Sequence, residues 1–258
     1  MSSRTTPTAA TTDQARQLAQ LIRESNCTVA LTGAGISVPS GIPDFRTPGE
    51  GLWEKVDPME VAHISAFRRD PARFWHFYGN RFATLEGKQP NGAHLALAEL
   101  ERAGLVDAVI TQNVDRLHRK AGTRRLIEVH GSIAHSSCLT CRAQFPLDEV
   151  RARLADDGAV PRCDCGEPLK PDVVLFGELL PEAAIEEAQA LAEAADLMLC
   201  IGSSLEVYPV AGLPDVTLRS GGRIALITQG PTPFDGLAAV KLAGDVEAEM
   251  SALLAAIR

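Results

Sequence analysis

One repeated unit constrains this chain more than any other feature. It is a short apolar run rich in β-formers that stops on a glycine or polar turn and gives way to helical periodicity. Cys27-Thr-Val-Ala-Leu-Thr32 is the first run, and it leads directly into Gly33-Ala34-Gly35. Ala108–Thr111, Leu126–Val129, Leu197–Ile201 (ending at Gly202) and Arg223–Thr228 follow the same plan. Helical patterns alternate with them. The first starts at Asp13 as N-cap and carries Ala15, Leu18, Leu21 and Ile22; the others are Leu95–Ala103, Pro181–Ala195 with proline in its first turn, and Asp245–Ile257. Strands apolar on both faces need cover on both faces. The expected fold class is therefore α/β, with a mostly parallel sheet between helical layers.

Two stretches break the alternation. Residues 48–90 are rich in aromatics and charges, with weak helical periodicity and no strand. Residues 134–171 hold four of the six cysteines. Both read as insertions that together build a smaller second lobe. The core domain is then 13–47 with 91–133 and 172–258, preceded by a flexible tail over 1–12. That tail lacks the apolar stretch of a signal peptide and carries only Arg4 against a transit peptide, so a cytoplasmic protein is expected. A net charge of −8 disfavours a dedicated nucleic-acid binder, and no apolar run reaches membrane-spanning length. Neither a nucleic-acid nor a membrane partner is expected, and a monomer is compatible with the sequence.

The glycine turn has two readings. It is a tight strand exit, or it lets backbone N–H groups approach a pyrophosphate. The ordinary dinucleotide fingerprint wants Gly or Ala three residues after Gly35, but Val38 stands there, followed by Pro39, Gly41 and Pro43. A long helix straight from the loop is disfavoured, and so is a hydride-transferring oxidoreductase. The continuation Ser37-Val-Pro-Ser-Gly-Ile-Pro-Asp44-Phe45-Arg46 is a segment able to close over a nucleotide.

At this point the sequence resembles a known family. Gly33–Arg46 is similar to the signature of the sirtuins, the NAD-consuming protein-lysine deacylases. Thr111-Gln112-Asn113-Val114-Asp115 with His118, Glu128-Val-His130-Gly131-Ser132, Pro171–Glu178 and Gly202-Ser203-Ser204 through Val207 to Pro209 resemble the further motifs, in family order. The resemblance implies a Rossmann-like sheet with a smaller zinc-binding lobe. It also implies NAD as cosubstrate and acylated lysine in a protein or peptide as partner.

The implied chemistry has the acyl-lysine carbonyl oxygen attack C1′ of the nicotinamide ribose and expel nicotinamide. A histidine then activates a ribose hydroxyl, and the products are lysine, nicotinamide and O-acyl-ADP-ribose. Six histidines are present, and the residues alone do not choose among them; the resemblance selects His130 as base. It places Asn113 and Asp115 at the nicotinamide pocket, Asp115 accepting from the carboxamide, and Gln112 at ribose hydroxyls. Asp115 also reads as a helix cap. The first NAD segment comprises Gly33, Ala34, Gly35, Ser37, Val38, Asp44, Phe45 and Arg46, with Phe45 keeping water from the reactive carbon. Val114, Gly202, Ser203, Ser204, Thr228 and Val246 complete the NAD set. Thr228 departs from the Asn common at its place and offers fewer hydrogen bonds.

Cys138-x-x-Cys141 and Cys163-x-Cys165, separated by 21 residues, match a closed structural zinc site. Residues two apart point oppositely on a strand, so the second pair must bend at Asp164. His135 replacing one thiolate is an alternative. Cys27 and Cys200 read as buried core thiols.

Tyr78 and Arg81 share a helix face, and a Tyr-x-x-Arg pair at the matching place binds acidic acyl groups in one sirtuin branch. Against this, Asp44 resembles the deacetylase type. Deacetylation is the expected activity, with succinyl or malonyl removal also considered, and Tyr78 packing in the small lobe is the other reading of that residue. The peptide is expected to add as a strand between Val173–Gly177, including Val174 and Phe176, and Leu205–Val207. Protein mono-ADP-ribosyl transfer from the same NAD pocket is the alternative function.

Overall fold

The computed structural model describes residues 9–44, 56–157 and 160–258. In chain order it runs α1 (Ala9–Glu24), β1 (Thr28–Thr32), a 3-10 turn over Ala34–Ser40, α2 (Pro58–Val61), α3 (Ile64–Arg69), α4 (Pro71–Glu86) and α5 (Gly92–Arg102). Then come β2 (Ala108–Thr111), α6 (Leu117–Ala121), β3 (Leu126–Glu128), β4 (Gly131–Cys138), β5 (Gln144–Pro146), α7 (Leu147–Asp157) and β6 (Leu169–Val173). The chain ends with α8 (Glu182–Ala194), β7 (Leu197–Ile201), α9 (Leu213–Arg219), β8 (Arg223–Ile227), β9 (Val240–Leu242) and α10 (Val246–Ile257). The first helix begins ahead of its expected cap: Asp13 lies inside α1, where its carboxylate pairs with Arg16 at 2.9 Å.

Six strands form one all-parallel sheet in the order β3-β2-β1-β7-β8-β9. Strand order reverses between β1 and β7, the point where open α/β sheets bind ligands beyond their strand ends. Both faces are covered. Leu18, Ile22, Leu97, Met250 and Leu253 of α1, α5 and α10 pack on one side, and Ala188, Leu191 and Leu213 of α8 and α9 on the other. This is why β1, β7 and most of β8 are buried at every position and read as continuous apolar runs.

The smaller lobe has its own core. The antiparallel sheet β5-β4-β6 carries Cys138 at the end of β4, with Cys141, Cys163 and Cys165 in turns beyond its strands, and Phe67, Phe74, Trp75, Tyr78 and Phe82 from α3 and α4 pack with Ile133, Val150 and Leu169. The two insertions are tied directly: the Trp75 indole N–H donates to the Leu169 carbonyl at 2.8 Å.

Candidate active site

The two glycine loops at the strand-order reversal touch each other. Gly35 N–H donates to the Gly202 carbonyl at 2.8 Å, and a Cβ on Gly202, at φ 61°, would lie 2.2 Å from the Ile36 nitrogen. Glycine is required here first by loop-on-loop packing. The N–H groups of Gly33, Gly35 and Ile36 are all committed inside the chain, to Ile201, Gly202 and Gly33 carbonyls. The loop therefore does not offer the run of amides expected of a phosphate cradle. As anticipated, no long helix follows; the 3-10 turn ends at Gly41, φ 75°. Val38 is exposed on it, while Ser37 is buried.

Beyond β2, Asn113 and Asp115 are buried and face that turn. The Ser37 hydroxyl donates to Asp115 Oδ2 at 2.7 Å, and Asn113 Nδ2 donates to Ser37 Oγ at 3.2 Å and to the Gly33 carbonyl at 3.0 Å. Asp115 Oδ1 accepts the Leu117 N–H at 2.9 Å, so the carboxylate also caps the start of α6. Burial pushes the Asp115 carboxyl above its ordinary value, opposed by these two donors. Gln112 Nε2 reaches Ser203 Oγ at 3.0 Å, which also accepts the Leu205 N–H, linking the β2 and β7 ends.

His130 occupies the turn between β3 and β4. Its Nδ1 lies 3.1 Å from the Gln112 carbonyl oxygen. A carbonyl only accepts, so Nδ1 carries the proton and Nε2 is left bare as a base. Burial lowers the imidazole below its usual range, with the Gln112 bond a smaller opposing effect. Gly131 follows at φ 71°, and a Cβ there would stand 2.1 Å from the Asp172 carbonyl oxygen, so the histidine turn is pressed against the β6 end.

Two of the other histidines, His94 and His118, form a layer beneath this site. His118 Nε2 meets Thr32 Oγ1 at 2.9 Å, and Thr32 donates to Thr111 Oγ1 at 2.8 Å. His94 Nε2 approaches Ser37 Oγ at 3.4 Å, and the two rings meet edge-on at 4.8 Å. Burial lowers His94 to about 4; burial and then the His94 neighbour lower His118 to about 3. Both are neutral structural imidazoles, and helical periodicity alone gives no sign of it.

The remaining residues are distributed as follows. Ala34, Asp44, Ser204 and Thr228 are half-buried, and Thr228 N–H is held by the Leu242 carbonyl. Val246 is buried in the first turn of α10, which Asp245 caps at 3.0 Å. Phe45 and Arg46 lie outside the described residues. Tyr78 stacks on Phe74 at 4.5 Å and packs against Phe77 and Phe82. Arg81 is on the same helix, with its side chain outside the described residues.

Val174 and Phe176 lie just beyond β6, Phe176 in a β-bridge with His63, and their N–H groups already donate to the His130 and Ala62 carbonyls at 2.9 Å. An added strand must use other groups of this segment. Exposed apolar side chains occur in it and after it, with Phe176 41% and Leu179 93% exposed, and again at Tyr208, 73% exposed. Val207 is half-buried nearby in sequence to Tyr208.

The four cysteine Sγ atoms all lie within 4.8 Å of one another, with Cys138 3.6 Å from Cys165 and Cys141 3.4 Å from Cys163. Zn–S bonds of about 2.3 Å in a tetrahedron put sulfurs ~3.8 Å apart, so the donor set fits one zinc. The expected bend is a tight turn: Gly166 at φ 91° donates to the Cys163 carbonyl, and Cys163 N–H donates to Glu167. His135 is exposed and is not part of the cluster. Cys200 is buried in β7, which raises its thiol to about 12; Cys27 is partly buried just ahead of β1.

The model of the Sir2 family matches residues 33–209, more than half the chain. The chain is 48% identical to an NAD-dependent protein deacetylase of Sulfolobus acidocaldarius over 86% of this chain and 87% of that one. It is 45% identical to NAD-dependent protein deacylase 2 of Archaeoglobus fulgidus over 90% and 91%. Among solved structures, Sir2 with a deacetylated p53 peptide and 3′-O-acetyl ADP ribose superposes with a TM-score of 0.89 at 42% identity, covering 93% of this chain and 97% of that one. Sir2 with a p53 peptide and NAD+ gives 0.85 at 41%, covering 93% and 96%. The chain belongs to the Sir2 family.

Proposed function

We propose that this chain is an NAD-dependent protein-lysine deacylase, acting first on acetyl-lysine and releasing nicotinamide and O-acyl-ADP-ribose. The observation that carries this reading is His130: its proton is held on Nδ1 by the Gln112 carbonyl, leaving Nε2 free in the site where the two glycine loops meet. NAD supplies the C1′ electrophile and its nicotinamide leaving group. The protein's part is to orient, to exclude water and to take one proton. His130 Nε2 takes the proton of a ribose hydroxyl, and its lowered basicity keeps it neutral and competent at neutral pH.

Asn113 and Asp115, fixed by Ser37 and Gly33, present a polar wall to the carboxamide. Gln112 faces ribose hydroxyls, Ala34, Ser203 and Ser204 face phosphates, and Val246 faces adenine. Thr228 gives the adenosine ribose one hydroxyl. Phe45 and Arg46 complete the first NAD segment, with Phe45 as the water shield. Tyr78 in an aromatic stack supports its packing role and thereby favours acetyl over succinyl or malonyl.

The peptide lies along Val174, Phe176, Gly177 and Val207. Cys138, Cys141, Cys163 and Cys165 hold one structural zinc. The domain limits 13–47 with 91–133 and 172–258, against 48–90 and 134–171, belong to the same reading. So does a monomer in the cytoplasm without nucleic-acid or membrane partners; no helix among the described residues is long and apolar enough to cross a membrane. Incubation with NAD and an acetyl-lysine peptide, followed by mass spectrometry, tests the activity. O-acetyl-ADP-ribose in solution is expected, whereas ADP-ribose attached to protein without deacetylation would overturn it.

A further inference from the structure

Lys170 is the second residue of β6 and is only 7% exposed, an uncommon place for an ammonium. Its Nζ donates to the carbonyls of Pro171 at 3.0 Å and Val173 at 2.9 Å, and lies 2.9 Å from Glu178 Oε2. Three donors meet three acceptors, so the buried charge is fully satisfied. The same Glu178 oxygen accepts the Leu175 N–H at 2.9 Å, and Glu178 N–H returns to the Leu175 carbonyl at 3.0 Å. Residues 171–178 are thereby closed around a single cation.

This closed loop includes Val174–Gly177, in which Phe176 makes a parallel β-bridge with His63 and the chain turns at Gly177. Val174 N–H bonds the His130 carbonyl, Phe176 N–H bonds Ala62, and Ile64 N–H bonds the Phe176 carbonyl at 3.0 Å. Gly177, at φ 83°, has no room for a Cβ, which would fall 2.7 Å from His63 Nε2. The histidine turn, the helical insertion and the stretch placed above at the peptide thus meet along one backbone. The ion pair bonds that same backbone, at the Pro171 and Val173 carbonyls and the Leu175 N–H.

We propose that Lys170 and Glu178 are a positioning pair that holds Val174–Gly177 in the shape that receives the acyl-lysine peptide, setting peptide affinity rather than the chemistry at NAD. This rests on the deacylase reading. Without the ammonium, two carbonyls and a carboxylate lose their shared donor, and the stretch relaxes toward water. Glu178 is the more exposed partner, with 23% of its side chain accessible, so its neutralisation is the milder change.

The test is steady-state kinetics of Lys170→Met, Lys170→Arg and Glu178→Gln with an acetyl-lysine peptide and NAD, together with calorimetric titration of ADP-ribose. Lys170→Met is expected to raise the peptide KM about tenfold while the NAD KM and ADP-ribose affinity stay within about twofold. Lys170→Arg restores part of the loss because it keeps the charge and donors. Should Lys170→Met not fold, Glu178→Gln carries the test with a peptide KM raised about threefold. An unchanged peptide KM in soluble variants, or peptide and NAD KM rising together, overturns the pair's role. A parent enzyme that turns over no acyl-peptide removes the deacylase reading and this inference with it, whereas an active parent with unaltered variants removes this inference alone.

Discussion

The end of the parallel sheet and the cysteine lobe solve opposite problems. At the sheet end, position comes from backbone: two glycine loops pressed together, a serine, an asparagine and an aspartate bonded in a buried chain, and a histidine tied to a carbonyl. In the lobe, position comes from four thiols gathered within 4.8 Å and a stack of aromatic rings. The first is held by a large core on both sides of a six-stranded sheet. The second has, among the described residues, a three-stranded sheet and four helices beside it, α2, α3, α4 and α7, too little core to make the thiol cluster dispensable. Chemistry and stability are therefore expected to separate when each region is attacked.

The largest effect should come from the thiols. Cys163→Ser, or chelation of bound metal, is expected to unfold the lobe and to lose zinc and soluble protein together. Metal analysis and circular dichroism check this; a zinc-free variant of full activity would break the contrast at its root. Next is His130→Ala, expected to lower kcat by about 10²–10⁴ with the melting temperature nearly unchanged.

The acid side gives a smaller, graded effect. In the native chain His94 and His118 titrate at about 4 and about 3, below the ordinary 6.5 that the unfolded chain has. Between 6.5 and those values the unfolded chain binds protons the native one does not, so stability falls as pH falls, by up to about 1.4 kcal/mol per pH unit for each histidine. The raised carboxyls of Asp115 and Glu249 act in the reverse sense and flatten the lower end. Urea unfolding at pH 7, 6 and 5 reads the slope, and His118→Gln should reduce it. The smallest effect is expected at Arg81→Met: with acetyl-lysine peptide kcat/KM changes less than about twofold. Selective loss of a desuccinylase activity would instead assign Arg81 to an acidic acyl group.

Legibility followed the same divide. The glycine turns, β1, β2, β7 and β8 were readable because burial on both faces leaves uninterrupted apolar runs, and the limits of β2 and β7 agree with the structure. The thiol spacing was readable because metal geometry restricts it. Within the lobe, β6 is not among the expected strands: Leu-Lys-Pro-Asp-Val is interrupted by a proline and by charges, and nothing in the sequence shows that Lys170 finds carbonyls in the interior. Helix α7 lacks a strong apolar stripe, and β9 is three residues long. The buried histidine pair escaped for another reason: His94 and His118 meet where α5 packs on α6, a contact that local periodicity does not contain.

The hydrogen bond from Trp75 to Leu169 spans 94 residues of sequence, and it sets an order of events during synthesis. Helices α3 and α4 leave the ribosome long before β6 exists to cover Trp75. For that interval their aromatic face has no mate in the chain, and the closure that removes it is non-local and slow. The helical insertion thus stays uncovered in the nascent chain until residue 169 has been made. Nascent chains arrested before residue 169 should be cut by protease within α3 and α4, and those arrested well beyond it should resist; equal resistance in both would show that the insertion folds alone.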